Sequence, residues 1–152
     1  KMFQASPNAI IDGRTISRAE MEQLYQSAHC FVMTTLGEGF GMTPSEAMSS
    51  GCPTILPKYS GMLEYANNRN CFFTPHEVQR IAASMGGPSA THPDNLYQFA
   101  ICDLPELGKT MARVMHDYNN ALIVGKRAHK DLQAFTWKRT AEGIANIVRE
   151  LQ

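Results

Sequence analysis

Two glutamates bracket a glycine-rich stretch, Gly37-Glu38-Gly39-Phe40-Gly41-Met42-Thr43-Pro44-Ser45-Glu46-Ala47-Met48. An apolar, β-branched run, Cys30 to Leu36, comes before it, and a small-residue segment closed by Gly51 comes after. The order reads as strand, glycine turn, helix. That arrangement presents backbone N–H groups and a helix N-terminus to an anion. Gly39 and Gly41 carry no β-carbon, so the chain can bend sharply and a ligand can come close to it. The spacing predicts Thr43 as N-cap, Pro44 at the first helical position, and Glu46 closing a capping box with Thr43. Each feature also has a purely structural explanation. Glu46 would serve as a cap, Glu38 as a solvated loop residue, and the two glycines as turn formers.

The elements that must position this stretch follow from periodicity. Asn8–Asp12 is a short strand candidate closed by the Asp12-Gly13 turn. Ser17-Arg18-Ala19-Glu20 is a capping box opening a helix with Met21, Leu24, Tyr25 and Ala28 on one face. Pro53–Leu56 and Cys71–Phe73 read as buried strands, with a loop and short helix over Lys58–Glu64 between them. Val78–Met85 is read as helical, 86–93 as a mobile insertion loop, and Leu96–Ile101 as a strand or a packed loop. Asp103 starts a helix with Leu104, Leu107, Met111, Val114, Met115 and Tyr118 in one stripe, broken at Asn119-Asn120. A second helix covers about Ala121–Ala134. Thr136 caps the last, over 136–152, with Trp137 as a packing anchor and Ala141, Ile144, Val148 and Leu151 on its inner face. Strands alternating with helices predict an α/β fold with a parallel sheet and right-handed crossovers, one Rossmann-like domain over 1–152.

Composition narrows the function. The chain has 152 residues and no formal net charge, so bulk electrostatics point to neither nucleic acid nor a membrane surface. No apolar run has the length of a membrane span, and no signal peptide opens the sequence. Cys30, Cys52, Cys71 and Cys102 form no C-x-x-C and share no spacing with the five histidines, so no metal site is expected. They read as buried thiols of a reducing, cytoplasmic protein. The chain opens on Lys1 rather than an initiator Met, as a fragment would.

With these residues laid out, the sequence resembles the C-terminal nucleotide-binding half of a GT-B glycosyltransferase, of the retaining family-4 type. The resemblance is carried by Glu38-Gly39-Phe40-Gly41, Glu46-Ala47-Met48 and Gly51-Cys52-Pro53-Thr54-Ile55, spaced as in the E-x7-E signature. Ser60-Gly61 with Glu64, and Phe135-Thr136-Trp137, add to it. The resemblance implies roles. Glu46 would accept both ribose hydroxyls of a nucleotide-diphosphate sugar. Glu38 would be the catalytic-centre residue facing the donor sugar. Gly39, Phe40 and Gly41 would bind sugar hydroxyls through their backbone. Met42 and Thr43 amides would hold the diphosphate, and Gly13 would lie beside the base. It implies no cofactor, and with no Asp-x-Asp in the sequence, no metal.

The partners implied are a nucleotide-sugar donor, a glycan or other hydroxyl acceptor, and an N-terminal acceptor domain absent from this chain. The resemblance also implies earlier β-α units bearing an Arg and a Lys, which this sequence lacks, so donor binding rather than turnover is expected of the chain alone. The competing expectation is a non-catalytic nucleotide- or glycan-binding module of a larger transferase.

Overall fold

The segment Thr54–Pro57, buried at every position, is the strand on which the sheet is assembled. A computed structural model of the protein describes residues 8–82 and 96–151. In chain order the elements are α1 (Arg18–Ser27), β1 (Phe31–Val32), α2 (Met42–Ser49), β2 (Thr54–Pro57), a 3-10 helix (Ser60–Glu64), β3 (Phe72–Thr74), β4 (His76–Ala82), β5 (Leu96–Cys102), α3 (Leu104–His116), α4 (Tyr118–Leu132) and α5 (Trp137–Glu150). Strands β1, β2 and β3 form a parallel sheet in that order, with Val32 opposite Ile55 and Leu56 opposite Phe73. A parallel strand is covered on both faces, which is why β2 is buried at every position, its polar Thr54 included.

Alternation along β2 sends neighbouring side chains to opposite faces. Ile55 packs with Val114 of α3 and Ala121 of α4. Leu56 packs on the other side with Met48 of α2, Met62 of the 3-10 helix, and Ala128 and Leu132 of α4. A third cluster, Tyr25, Ala47 and Cys52, seats α1 against α2. All four cysteines are free thiols. Burial first, and for Cys30 the neighbouring Cys52, pushes Cys30 and Cys71 up to about 12, so both stay protonated and pack as small apolar groups.

The capping box at Ser17 forms in both directions: Glu20 N–H donates to the Ser17 hydroxyl at 3.3 Å, and Ser17 N–H donates to the Glu20 carboxylate at 2.7 Å. Asp103 and Thr136 cap α3 and α5 as expected.

Several expectations are corrected. Asn8–Asp12 is not a strand: among the described residues no strand pairs with it, and Ile10 is 95% exposed. Cys30–Leu36 contributes only Phe31–Val32 to the ladder, although Met33 N–H still donates to Ile55 O at 3.1 Å. The described part of the Val78–Met85 segment, up to Ala82, is not helical; it belongs to β4, paired antiparallel with β5 so that Val78 lies opposite Ala100, and the segment's last three residues lie outside the described residues. That long-range pairing overrides the local pattern, and it makes Leu96–Ile101 a strand. The insertion expected at 86–93 lies outside the described residues. The break between α3 and α4 comes at Asp117, whose carboxylate accepts from Asn120 N–H at 3.2 Å, so Asn119 and Asn120 fall inside the first turn of α4.

The largest correction concerns α5. None of its residues is buried. Trp137 is 78% exposed and Ile144 59%, so among the described residues Trp137 is not a buried anchor and the apolar stripe stays largely uncovered. The stripe satisfies helical periodicity without a partner among the described residues.

Helices α2 and α4 meet at two glycines. A β-carbon on Gly125 would stand 2.3 Å from the Gly51 carbonyl oxygen and 3.3 Å from Pro53 N, both backbone atoms that cannot step aside. Gly143, in the exposed α5, has nothing within 4 Å. Gly125→Ala should therefore lower the unfolding free energy by about 1–3 kcal/mol. Gly143→Ala should raise it by about 0.5–1 kcal/mol, through helix propensity alone. Urea unfolding of the two variants side by side checks the pair.

Candidate functional site

The predicted cap of α2 is not the one the protein uses. Gly41 is the N-cap, in the left-handed region at φ 78°, and no side chain caps the helix. Thr43 is the second helical residue and Pro44 the third, so the Thr43–Glu46 capping box does not form. The physical reason is Gly41 itself. A left-handed residue turns the chain straight into the helix, a step Thr43 would have made in extended conformation two residues later. The first turn consequently presents Met42 and Thr43 N–H ahead of any intrahelical acceptor, and Pro44 brings no N–H. Ser45 N–H is the first to close the ladder, onto Gly41 O at 3.1 Å. Met42 and Thr43 are exposed.

Freed from capping, Glu46 lies on the exposed side of α2. It lines a cavity of about 570 Å³ with Ser17, Arg18 and Tyr25 of the α1 segment and Met42 and Ser45 of α2. Tyr25 is the group it meets. Burial first, then the Glu46 charge and a hydrogen bond to its carboxylate, raise the Tyr25 phenol above its ordinary value. The buried Tyr25 phenol thus stands near enough to feel the Glu46 charge, and both side chains line the cavity.

Glu38 lies on the turn ahead of α2 and is half-buried. Its carboxylate lies 3.3 Å from the Thr35 hydroxyl, whose single hydrogen is shared between that carboxylate and Gly37 O at 3.0 Å. Its charge is felt at Tyr65, whose phenol is raised by burial first and by Glu38 second. Gly39 and Phe40 are exposed, while Gly41 is buried against Met62 and Tyr65. The Phe40 ring lies 5.1 Å from Tyr65 and 6.3 Å from Phe135, centroid to centroid, so an aromatic cluster floors the turn. A second cavity of about 730 Å³ opens beside it, shared by Phe40, Met42 and Ser45 with Phe135, Trp137 and Thr140 of the α4–α5 junction.

The turn and the start of α2 therefore hold Glu38, Gly39, Phe40, Gly41, Met42, Thr43 and Glu46 in one contiguous region. Gly13 is exposed on the segment before α1, where Arg14 grips the Asp12 carboxylate at 2.9 and 2.7 Å; the cavity wall begins three residues on, at Ile16. Sequence reasoning missed three contributors. Arg18 lines both cavities, Tyr25 backs Glu46, and Tyr65 holds the turn. Tyr25 and Tyr65 are placed by tertiary packing, and only Tyr25 had a local signal, as a core residue of α1; Arg18 is exposed on the first turn of that helix. Among the described residues no group of three or more His, Cys, Asp or Glu side chains could hold a metal ion, and no helix is long and apolar enough to cross a membrane.

A family model described as family 4 glycosyltransferase in conflict systems matches residues 10–144. The chain belongs to this family. The sulfoquinovosyl transferase SQD2 of Arabidopsis thaliana is 24% identical over 146 residues, covering 96% of this chain and 24% of that protein. Two solved structures share the fold. Sucrose-phosphate synthase from Thermosynechococcus elongatus superposes with a TM-score of 0.61 at 22% identity, over 84% of this chain and 26% of that one. Anabaena HepE in complex with UDP gives 0.62 at 21% identity, over 88% and 30%. The α/β architecture with a parallel sheet and flanking helices is thus that of GT-B glycosyltransferases. The chain spans about a quarter of the length of the curated relatives it matches over most of its residues.

Gly41 is the most constrained glycine of the turn ahead of α2. An added β-carbon would meet Met62 Cγ and Tyr65 Oη at 2.8 Å and Pro44 Cγ at 3.1 Å, at a φ few side chains adopt. Gly41→Ala should lower stability by about 1–3 kcal/mol, from left-handed strain and crowding together, as read by the urea midpoint.

Proposed function

We propose that the chain is the donor-binding, C-terminal half of a retaining glycosyltransferase that transfers a hexose from a nucleotide-diphosphate sugar to a glycan or other hydroxyl acceptor. The observation that carries this reading is the combination at α2 of an uncapped first turn with a glutamate that does no capping. Two N–H groups and the positive end of the helix dipole are available to an anion, and one carboxylate beside them is available to hydroxyls. A nucleoside diphosphate carries both features, a vicinal diol and a pyrophosphate.

In this reading Glu46 accepts from both ribose hydroxyls, one carboxylate oxygen each, with Tyr25 orienting it from behind. Met42 and Thr43 N–H groups donate to the diphosphate. They are fixed before the reaction, so they stabilise charge as it builds on the departing phosphate without reorganising. Glu38, with Gly39, Phe40 and Gly41, faces the donor sugar, where positive character develops on the ring. Gly13 and its neighbours lie toward the base. No metal is required, because helix amides and side chains meet the phosphate charge. The acceptor comes from an N-terminal domain, and the four free thiols suit a cytoplasmic setting.

Calorimetric titration with UDP, GDP and ADP tests the donor site. Glu46→Ala should weaken binding of the preferred nucleotide roughly ten- to a hundredfold, the equivalent of a charge-assisted hydrogen bond of about 1.5–3 kcal/mol, and EDTA should leave the affinity unchanged. In the complete enzyme Glu38→Gln should lower turnover more than donor affinity. Unchanged nucleotide affinity in Glu46→Ala would refute the ribose role, and nucleotide binding without any transfer product would favour the non-catalytic module.

A further inference from the structure

The 3-10 helix after β2 grips the turn that carries Glu38. Among the described residues Ser60, its first residue, is the one non-glycine in the left-handed region, at φ 66°. Its hydroxyl serves both backbone groups of Glu38. It accepts from Glu38 N–H at 3.1 Å and donates to the Glu38 carbonyl. Gly61 N–H donates to the same carbonyl at 3.3 Å. Contact there is so close that a β-carbon on Gly61 would fall 1.7 Å from the Gly39 carbonyl oxygen. Farther along, the Tyr65 hydroxyl donates to Gly41 O at 2.8 Å in a buried setting.

The 3-10 helix is itself tied to the core. The Asn70 side chain donates to Tyr65 O at 2.9 Å and to the Asp131 carboxylate of α4 at 3.0 Å, and it accepts from Asn67 N–H at 2.7 Å. The turn before α2 therefore takes its shape from a rigid segment on the next strand's exit.

We propose that Ser60 is a positioning residue for Glu38: its hydroxyl, delivered by a strained backbone, sets the peptide from which the Glu38 carboxylate projects toward the donor sugar. This rests on the donor reading above. Left-handed backbone in a serine persists only where the surroundings over-determine it, and such residues cluster where geometry matters for function. A glycine would adopt this φ without strain, but it would supply no hydroxyl. With Thr35 on the Glu38 carboxylate and Ser60 on its peptide, both ends of the residue are held.

Ser60→Gly isolates the hydroxyl, because it keeps the backbone conformation and removes only the two hydrogen bonds. The full natural chain would be assayed with UDP-glucose and GDP-mannose in parallel. The expected result is kcat lowered about tenfold or more with the donor KM within about twofold, since small misplacements of a reacting group cost rate. The thermal midpoint should stay within about 3 °C. Hydrogen exchange at the Glu38 amide should quicken while that at Ile55 and Leu56 does not. Tyr65→Phe, which leaves the ring in place, should lower kcat in the same sense. Unchanged kcat in Ser60→Gly, or a loss of kcat that tracks a falling thermal midpoint, overturns the positioning role. A wild-type chain inert toward both nucleotide sugars would instead sink the donor reading. The hold on the turn is then decided by the exchange rates, and unchanged exchange overturns it.

Discussion

The chain leaves the sheet and enters α2 through a left-handed residue at Gly41, and the direction of the first helical amides follows from that one dihedral. Had the helix been entered through an extended, side-chain-capped residue, Thr43 would have covered an amide and Glu46 would have folded back on the cap. Instead the first turn is left uncapped and Glu46 is turned toward α1. The buried carbonyl of Gly41 accepts both from Ser45 N–H, within the helix, and from the Tyr65 hydroxyl, which ties the turn to the following segment, and Met62 fills the space that a β-carbon would need.

The same logic runs outward. Tyr65 can hold Gly41 only if the 3-10 helix is fixed, and Asn70 fixes it by bridging Tyr65 O to Asp131 on α4. Helix α4 in turn approaches α2 closely because Gly125 meets Gly51 without a β-carbon between them. One glycine–glycine contact and one buried asparagine thus link the core to the turn. The apolar clusters around Ile55 and Leu56 supply the burial that makes this polar scaffold affordable.

What was legible in the sequence divides along the range of the forces involved. Helix starts at Ser17, Asp103 and Thr136 are local hydrogen-bond patterns, and they form as written. Buried runs at Pro53–Leu56 and Cys71–Phe73 are strands because both faces of a parallel sheet need cover. The Thr43–Glu46 spacing is as good a local pattern as Ser17–Glu20, yet it fails, because a nonlocal contact at Gly41 starts the helix earlier. Val78 and its neighbours form a strand because β5 lies beside them, a partner that sequence spacing does not reveal. Trp137, Ile144 and Leu151 show the reverse case: the amphipathic pattern is real, but no described element covers it. In the candidate site, the order of Glu38, the glycines and Glu46 along the chain was enough to place them together on one turn and helix start, whereas the groups packed around them, Tyr25, Ser60 and Tyr65, come from elsewhere in the chain through tertiary contacts.

The most direct test of the central claim is a crystal structure of the natural full-length protein with UDP or, if another base binds more tightly, that nucleoside diphosphate. The account predicts both ribose hydroxyls within about 2.6–3.2 Å of the Glu46 carboxylate oxygens and a phosphate oxygen on the Met42 and Thr43 N–H groups. A nucleotide seated elsewhere, with Glu46 turned to bulk water and the first turn of α2 unoccupied, would contradict it.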